Sequence, residues 1–182
     1  KGSDLGTITH VMVDPSCSGS GIVSRLDNLL AVSDYTAKRK EQLANFQKKI
    51  LCHALSFSNA QRVVYSTCSL FEEENEQVVE FVLQEMGHIW ELHKALPNWK
   101  HRGLAKYEVG DSCIRASPTE DETNGFFVAR FHRKQGVMQE PNAHEGDLVD
   151  TNTSTKEDSA VVLTGKKRKN TQKLPKCTKK QK

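Results

Sequence analysis

The chain has 182 residues, of which 36% are hydrophobic and 27% charged, with a formal net charge of +3. With a mean hydropathy of −0.60, this is the composition of one folded domain diluted by a polar tail, and no apolar run approaches the length of a membrane span. Five cysteines, odd in number and without a C-x-x-C pair, argue against a disulfide framework and a zinc site, and suit free thiols in a reducing compartment.

No secretory signal is visible at the start. The sequence opens at Lys1 almost directly on a strand-like run, so it is expected to be a piece of a longer protein. Thr7 to Val13 reads as a short buried strand, and Asp14-Pro15-Ser16-Cys17-Ser18-Gly19-Ser20-Gly21 as the loop after it. Pro15 and the two glycines forbid regular structure there and allow close approach of backbone to a ligand. Gly19-Ser20-Gly21 lacks the third glycine of a dinucleotide fingerprint and the lysine of a P-loop.

Thr36 to Leu55 is the clearest helix, with Leu43, Phe46, Ile50, Leu51, Ala54 and Leu55 at three- and four-residue spacing. Cys52 falls on or beside that apolar face. Lys38, Arg39, Lys40, Lys48 and Lys49 take the other faces, either as ordinary solvated surface or facing RNA. Phe57 to Asn59 turns into a second buried strand at Val63, Val64 and Tyr65, which becomes polar at Ser66-Thr67-Cys68-Ser69. A Glu-rich helix start follows at Glu72 and continues to Met86, with Val78, Val79, Val82 and Leu83 inward. Strand, helix, strand with short connections predicts a parallel pair, and the Cys17 and Cys68 loops then leave the sheet at the same edge.

Gly87 to Asp111 reads as irregular, with Trp90, Leu92, Leu96, Pro97 and Trp99 covering the sheet and His88, His93 and His101 as scattered surface histidines. Cys113 to Ser117 and Gly125 to Phe131 predict an antiparallel hairpin. From about Lys134 apolar residues thin out and basic clusters appear at Lys166-Lys167-Arg168-Lys169 and Lys179-Lys180. This predicts a disordered tail over 134–182, suited to nuclear import or nonspecific RNA contact, after a folded part over 1–133.

Cys68 alone could be a small buried cysteine at a strand end. Two thiols and a carboxylate at one sheet edge are more specific. Methylation of cytosine at carbon 5 needs a thiolate to add at carbon 6, because carbon 5 is otherwise too weak a nucleophile. It also needs a group that removes the carbon-5 proton afterwards, which a second thiol can assist. A helix N-terminus beside Cys68 favours its thiolate form.

Ser66-Thr67-Cys68-Ser69 followed by Glu74-Asn75-Glu76 resembles the nucleophile motif of the Nop/Sun family of RNA cytosine-5 methyltransferases. Asp14 to Gly21 resembles the family's second cysteine motif, and Arg115, Pro118 and Gly125 to Ala129 its closing hairpin. The resemblance covers residues 7–132, with the motifs in the family's order. It implies an α/β fold, the C-terminal half of a Rossmann-like methyltransferase sheet closed by an antiparallel hairpin and followed by the basic tail. It also implies Cys68 as nucleophile, Cys17 as the thiol that aids product release, and Asp14 as the acidic residue at the cofactor. The implied cofactor is S-adenosylmethionine, and the partner is RNA, with no metal and no membrane.

Most of the family has proline directly before the first cysteine. The order Pro15-Ser16-Cys17 resembles a branch associated with large-subunit ribosomal RNA, hence a nuclear, nucleolar location. Asn124 stands where many relatives have aspartate. The family's glycine-rich cofactor loop and ribose-binding acid precede the Asp14 strand and are expected to be missing, which would leave a long unpaired sheet edge. The competing expectation is a non-catalytic RNA-binding or ribosome-assembly module that keeps the fold. A thiol redox protein is disfavoured by the missing C-x-x-C.

Overall fold

The computed structural model describes residues 7–22, 37–136 and 160–164. In chain order its elements are β1 (His10–Asp14), α1 (Ala37–Leu55), β2 (Arg62–Thr67), α2 (Glu76–Met86), β3 (Trp90–His93), β4 (Ile114–Ala116), β5 (Phe126–Arg133) and β6 (Ala160–Thr164). One sheet runs β3-β5-β2-β1-β6, and β4 pairs with the other half of β5. Among the described strands, β1, β2 and β6 are parallel, while β5 runs antiparallel to β2, β3 and β4. The expected α/β sheet closed by an antiparallel hairpin is therefore present.

Alternation decides which face is core. Val11 and Val13 of β1, Val63 and Tyr65 of β2, and Phe127, Ala129 and Phe131 of β5 point to one face and are buried there. Leu51, Ala54 and Leu55 of α1 and Val78, Val79 and Val82 of α2 pack onto them. The opposite positions on β1, His10, Met12 and Asp14, are exposed. In register, Val11 lies opposite Val63 and Val13 opposite Tyr65. The two strands therefore end together, and the loops after Asp14 and Thr67 start side by side.

Three expectations change on the way to the fold. On α1, Phe46 is exposed and Gln47 is fully buried. The buried stripe of the helix includes this polar residue because Gln47 donates to the Glu74 carboxylate at 2.8 Å. The second helix does not run on from Glu72. A 3₁₀ turn occupies Glu72–Glu74, Asn75 breaks it at φ −116° and ψ −101°, and α2 starts at Glu76.

The segment expected to be irregular contains a strand, β3, only four residues long. Its Trp90 is 1% exposed, donates Nε1–H to the Leu55 carbonyl at 3.0 Å and lies under the Arg133 guanidinium at 4.7 Å. Leu96 and Pro97 are exposed rather than covering the sheet, and Trp99 is half-buried. His93 stacks on His132 with ring centroids 3.9 Å apart, and His101 hydrogen-bonds Asp121 at 2.6 Å. Among the described residues no group of three or more His, Cys, Asp or Glu side chains could hold a metal ion, and no helix is long and apolar enough to cross a membrane.

Most of the expected tail lies outside the described residues. Within it, Ala160–Thr164 forms β6, parallel to β1 and in register from His10–Ala160 to Asp14–Thr164. The run Val161, Val162, Leu163 is short, apolar and partly β-branched, the composition of a parallel strand. It pairs the outer edge of β1, which the sequence reading left bare.

Trp90 carries both a large apolar area and the hydrogen bond to Leu55. Trp90→Ala should lower unfolding free energy by about 3–5 kcal/mol, read as a drop in the urea midpoint. A change below about 1 kcal/mol would show that β3 is peripheral to the core.

Candidate active site

The parallel pairing of β1 and β2 brings the two cysteine loops together. Cys17 Sγ lies 3.2 Å from Cys68 Sγ. Backbone and hydroxyl bonds stitch the loops around that contact: Gly21 N–H donates to the Cys68 carbonyl at 2.9 Å, Leu70 N–H to Ser20 Oγ at 2.9 Å, and Ser18 Oγ to Ser69 Oγ at 3.0 Å. Asp14, exposed at the end of β1, accepts a longer bond from Ser66 Oγ at 3.4 Å.

Glycine is required where the cysteine loop meets the hairpin. A Cβ on Gly21 would sit 2.3 Å from the Gly125 carbonyl oxygen, and one on Gly125 would sit 2.5 Å from a Leu70 methyl carbon. The two glycines are joined by Gly125 N–H to the Gly21 carbonyl at 2.7 Å. This close approach brings the hairpin end to the thiols. Gly19, at φ 68°, makes the turn between Cys17 and this contact.

Beneath the loops lie three consecutive polar side chains with no exposure, Glu74, Asn75 and Glu76. Glu74 Oε2 accepts from Ser18 N–H at 2.9 Å and from Gln47 Nε2 at 2.8 Å, and Oε1 accepts from Ser69 Oγ at 2.9 Å. Asn75 accepts from Thr67 Oγ1 at 2.6 Å and donates Nδ2–H to the Ser69 carbonyl at 2.8 Å. Glu76 takes the Arg115 guanidinium in a two-pronged pair at 2.7 and 2.6 Å and accepts from Leu104 N–H at 3.0 Å. Arg115 also donates to the Leu70 carbonyl at 3.0 Å, tying the hairpin to the Cys68 turn. Glu74 therefore joins both cysteine loops, Asn75 holds the Cys68 turn, and Glu76 holds the hairpin.

The thiol pair is electrostatically unequal. The hydrogen bond that Cys17 donates to Cys68, together with burial, pushes the Cys17 thiol far up. That same bond brings Cys68 down to about 7, against burial and the nearby carboxylates of Asp14 and Glu74, which raise it. The two sulfurs thus share one proton, and the direction of the two shifts favours the charge on Cys68. Cys113, by contrast, is pushed far up by burial, and Cys52 is buried in the core. Both are structural.

The structure brings together all three residues singled out from the sequence: Cys68 and Cys17 in contact, and Asp14 near enough to Cys68 to disfavour its charge. Sequence reasoning missed Glu74 and Gln47 as part of the site. Glu74-Asn75-Glu76 was visible as a motif, but its carboxylates read as part of a Glu-rich helix start and carried no assigned role. Of the basic residues on α1, Lys40 pairs with Glu73 at 3.3 Å and lies over Phe71, and Lys48 lies over Phe81. Those two serve packing between the helices.

A family model described as 16S rRNA methyltransferase RsmB/F matches residues 3–132. The chain is 45% identical over 130 residues to the mouse 28S rRNA (cytosine-C(5))-methyltransferase, covering 71% of the chain and 28% of that protein. It is 50% identical over 129 residues to the Caenorhabditis elegans 26S rRNA (cytosine-C(5))-methyltransferase nsun-5, covering 69% and 29%. Among solved structures it resembles a methyltransferase homologue from Pyrococcus horikoshii, at 27% identity and a TM-score of 0.55, over 70% of this chain and 40% of that one. The fold and the paired thiols place the chain among methyltransferases. It belongs to the RsmB/F rRNA methyltransferase family, and its relatives at 45–50% identity are the Nop/Sun-type cytosine-C5 enzymes anticipated from the motifs. The chain spans about three tenths of the length of these curated relatives.

The unequal pair predicts a pH profile. Alkylation of Cys68 by iodoacetamide, followed by mass spectrometry of its peptide, should rise with pH through a midpoint near 7. Cys17→Ala removes the donated hydrogen bond and should move the midpoint up toward the ordinary thiol value of about 8.5. An unchanged midpoint would mean that the sulfur contact does not activate Cys68.

Proposed function

We propose that the chain is the catalytic segment of an RNA (cytosine-5) methyltransferase acting on large-subunit ribosomal RNA in the nucleolus. Residues 1–133 carry the chemistry, and 134–182 form a basic appendage that adds β6 to the sheet. The observation that supports this most directly is the 3.2 Å contact between two free thiols at the C-terminal edge of parallel strands. The names of the relatives supply the substrate class: the proteins at 45–50% identity are called 28S and 26S rRNA (cytosine-C(5))-methyltransferases.

In this reading the Cys68 thiolate adds to carbon 6 of a cytosine turned out of its stack, and the electron pair of the C5–C6 double bond moves to carbon 5. S-adenosylmethionine, when bound, supplies the methyl group that carbon 5 takes up. Carbon 5 must then lose its proton to a base. The electrons left behind re-form the double bond as the bond to Cys68 Sγ breaks, releasing that sulfur as a thiolate. Cys17 is placed to assist this elimination, in contact with the sulfur that must leave.

Asp14 fits a cofactor or base contact. It is an exposed carboxylate at the end of β1, and among the described residues its bond is the 3.4 Å one that Oδ1 accepts from Ser66. A hydroxyl or amino donor on the ligand would find an acceptor there. A rigid frame supports this reading, since the two cysteine loops and the hairpin are tied by short bonds rather than left free.

The test is methyl transfer from radiolabelled S-adenosylmethionine to ribosomal RNA, by the chain alone and joined to the upstream part of a relative. Cys68→Ala should reduce label to background, and Cys17→Ala should accumulate a covalent protein–RNA adduct that survives denaturing electrophoresis. Label that persists in Cys68→Ala would remove Cys68 as nucleophile. No transfer by the joined, folded wild type that binds the cofactor would favour an RNA-binding module instead.

A further inference from the structure

We propose that Glu74 is a positioning residue for the thiol pair, its two carboxylate oxygens holding the Cys17 loop against the Cys68 turn at the separation at which one sulfur acts on the other. The inference rests on the reading of Cys68 as nucleophile and Cys17 as its partner. It assigns a role to a residue that touches neither sulfur.

The geometry is divided by loop. Glu74 Oε2 takes the N–H of Ser18, the residue directly after Cys17, and Oε1 takes the hydroxyl of Ser69, the residue directly after Cys68. Gln47, held by the same Oε2, reaches the carbonyl of Ser16 at 3.1 Å, so Cys17 is fixed through the backbone on both sides. The backbone of Glu74 is itself pinned, its carbonyl accepting from the Tyr65 hydroxyl at 2.6 Å. Oε2 meets two N–H donors, while the Ser69 hydroxyl that faces Oε1 can either donate or accept, so what holds both loops is a forked polar group long enough to reach them.

Stability alone is a poor reason for this arrangement. Glu74 is fully buried, and the described bonds to its side chain come from neutral donors, because the Arg115 guanidinium goes to Glu76. Burying a carboxylate is costly, and neutral hydrogen bonds offset only part of that cost. Nor does its charge explain its place, since the negative field of Glu74 works against a thiolate on Cys68. Reach across two loops is what remains.

The experiment separates reach from charge, again by the pH profile of Cys68 alkylation. Glu74→Asp keeps the charge and loses one methylene of reach. It should raise the midpoint by about one pH unit, which slows alkylation at pH 7 about fivefold. Glu74→Gln keeps the reach and loses the charge: its amide oxygen still accepts from Ser18 N–H and Gln47, its NH2 donates to the Ser69 hydroxyl, and the midpoint should stay in place or fall slightly. In a Cys17→Ala background, Glu74→Asp should add no further shift, because the partner through which it acts is gone.

A rise in Glu74→Gln equal to that in Glu74→Asp would overturn the proposal, as would a Glu74→Asp shift that persists undiminished without Cys17. Thermal melts followed by circular dichroism confirm folding of each variant. If Glu74→Asp does not fold, the near-isosteric Glu74→Gln decides, a rise above about half a pH unit counting against positioning. The measurement needs neither RNA nor cofactor. Loss of methyl transfer in the wild type would therefore sink the methyltransferase reading and leave this result standing.

Discussion

Everything near the two thiols depends on three polar side chains that have been taken entirely out of water. Glu74, Asn75 and Glu76 occupy the break between a 3₁₀ turn and helix α2, where the backbone of Asn75 is irregular. A buried polar group without partners would cost more than most single interactions return. All three are satisfied here, and the groups that satisfy them belong to the Cys17 loop, the Cys68 turn and the hairpin. The cost of burial is thereby converted into geometry. Loosening any one anchor exposes the others to the same penalty, so the loops are held as a unit.

The Glu76–Arg115 pair shows how the hub extends. Its geometry is two-pronged and nearly solvent-free, with the Arg115 side chain 15% exposed and that of Glu76 at 0%. Such pairs specify an arrangement more surely than they stabilise it. What this one specifies is the approach of β4 to the Cys68 turn, with Arg115 reaching the Leu70 carbonyl and lying against the Phe127 ring. The hairpin is therefore part of the site's frame as well as the end of the sheet. The Gly21–Gly125 approach secures the same junction from the side of the Cys17 loop.

Within that frame, chemistry follows from asymmetry. Two sulfurs at 3.2 Å cannot easily both be charged, and the less favourable surroundings of Cys17 leave the proton there. Cys68 then gains a hydrogen bond to its charged form, a stronger effect than the opposing fields of Asp14 and Glu74. One thiol is favoured as the thiolate and the other as the proton donor. That difference arises from two residues of the same type placed on neighbouring strands.

Much of this was legible from the residues. The β-branched and apolar runs at Val11–Val13 and Val63–Tyr65 are strands whatever surrounds them, with Val11, Val13, Val63 and Tyr65 on the core face. The three- and four-residue periodicity along the 19 residues of α1 and the Gly125 to Phe131 run likewise carried their own structure. Cys17, Cys68 and Asp14 could be joined on one edge because parallel strands joined by a helix put their C-terminal ends together. Residue type, period and chain order are local properties, and these features depend on little else.

Other features were decided only by tertiary packing. Whether a glutamate at a helix start faces water or a buried serine depends on what lies across from it, and no local pattern distinguishes Glu73, half-exposed beside Lys40, from Glu74, fully buried beside Ser18. Gln47 and Phe46 exchange their expected places for the same reason. β3 is a strand because β5 offers it an edge, and β6 because β1 does. The chain by itself determined β1, β2, the hairpin strands and the two helices, and marked the residues of the candidate site. Only the fold determined which polar groups leave water, since desolvation belongs to an environment assembled from residues far apart in sequence.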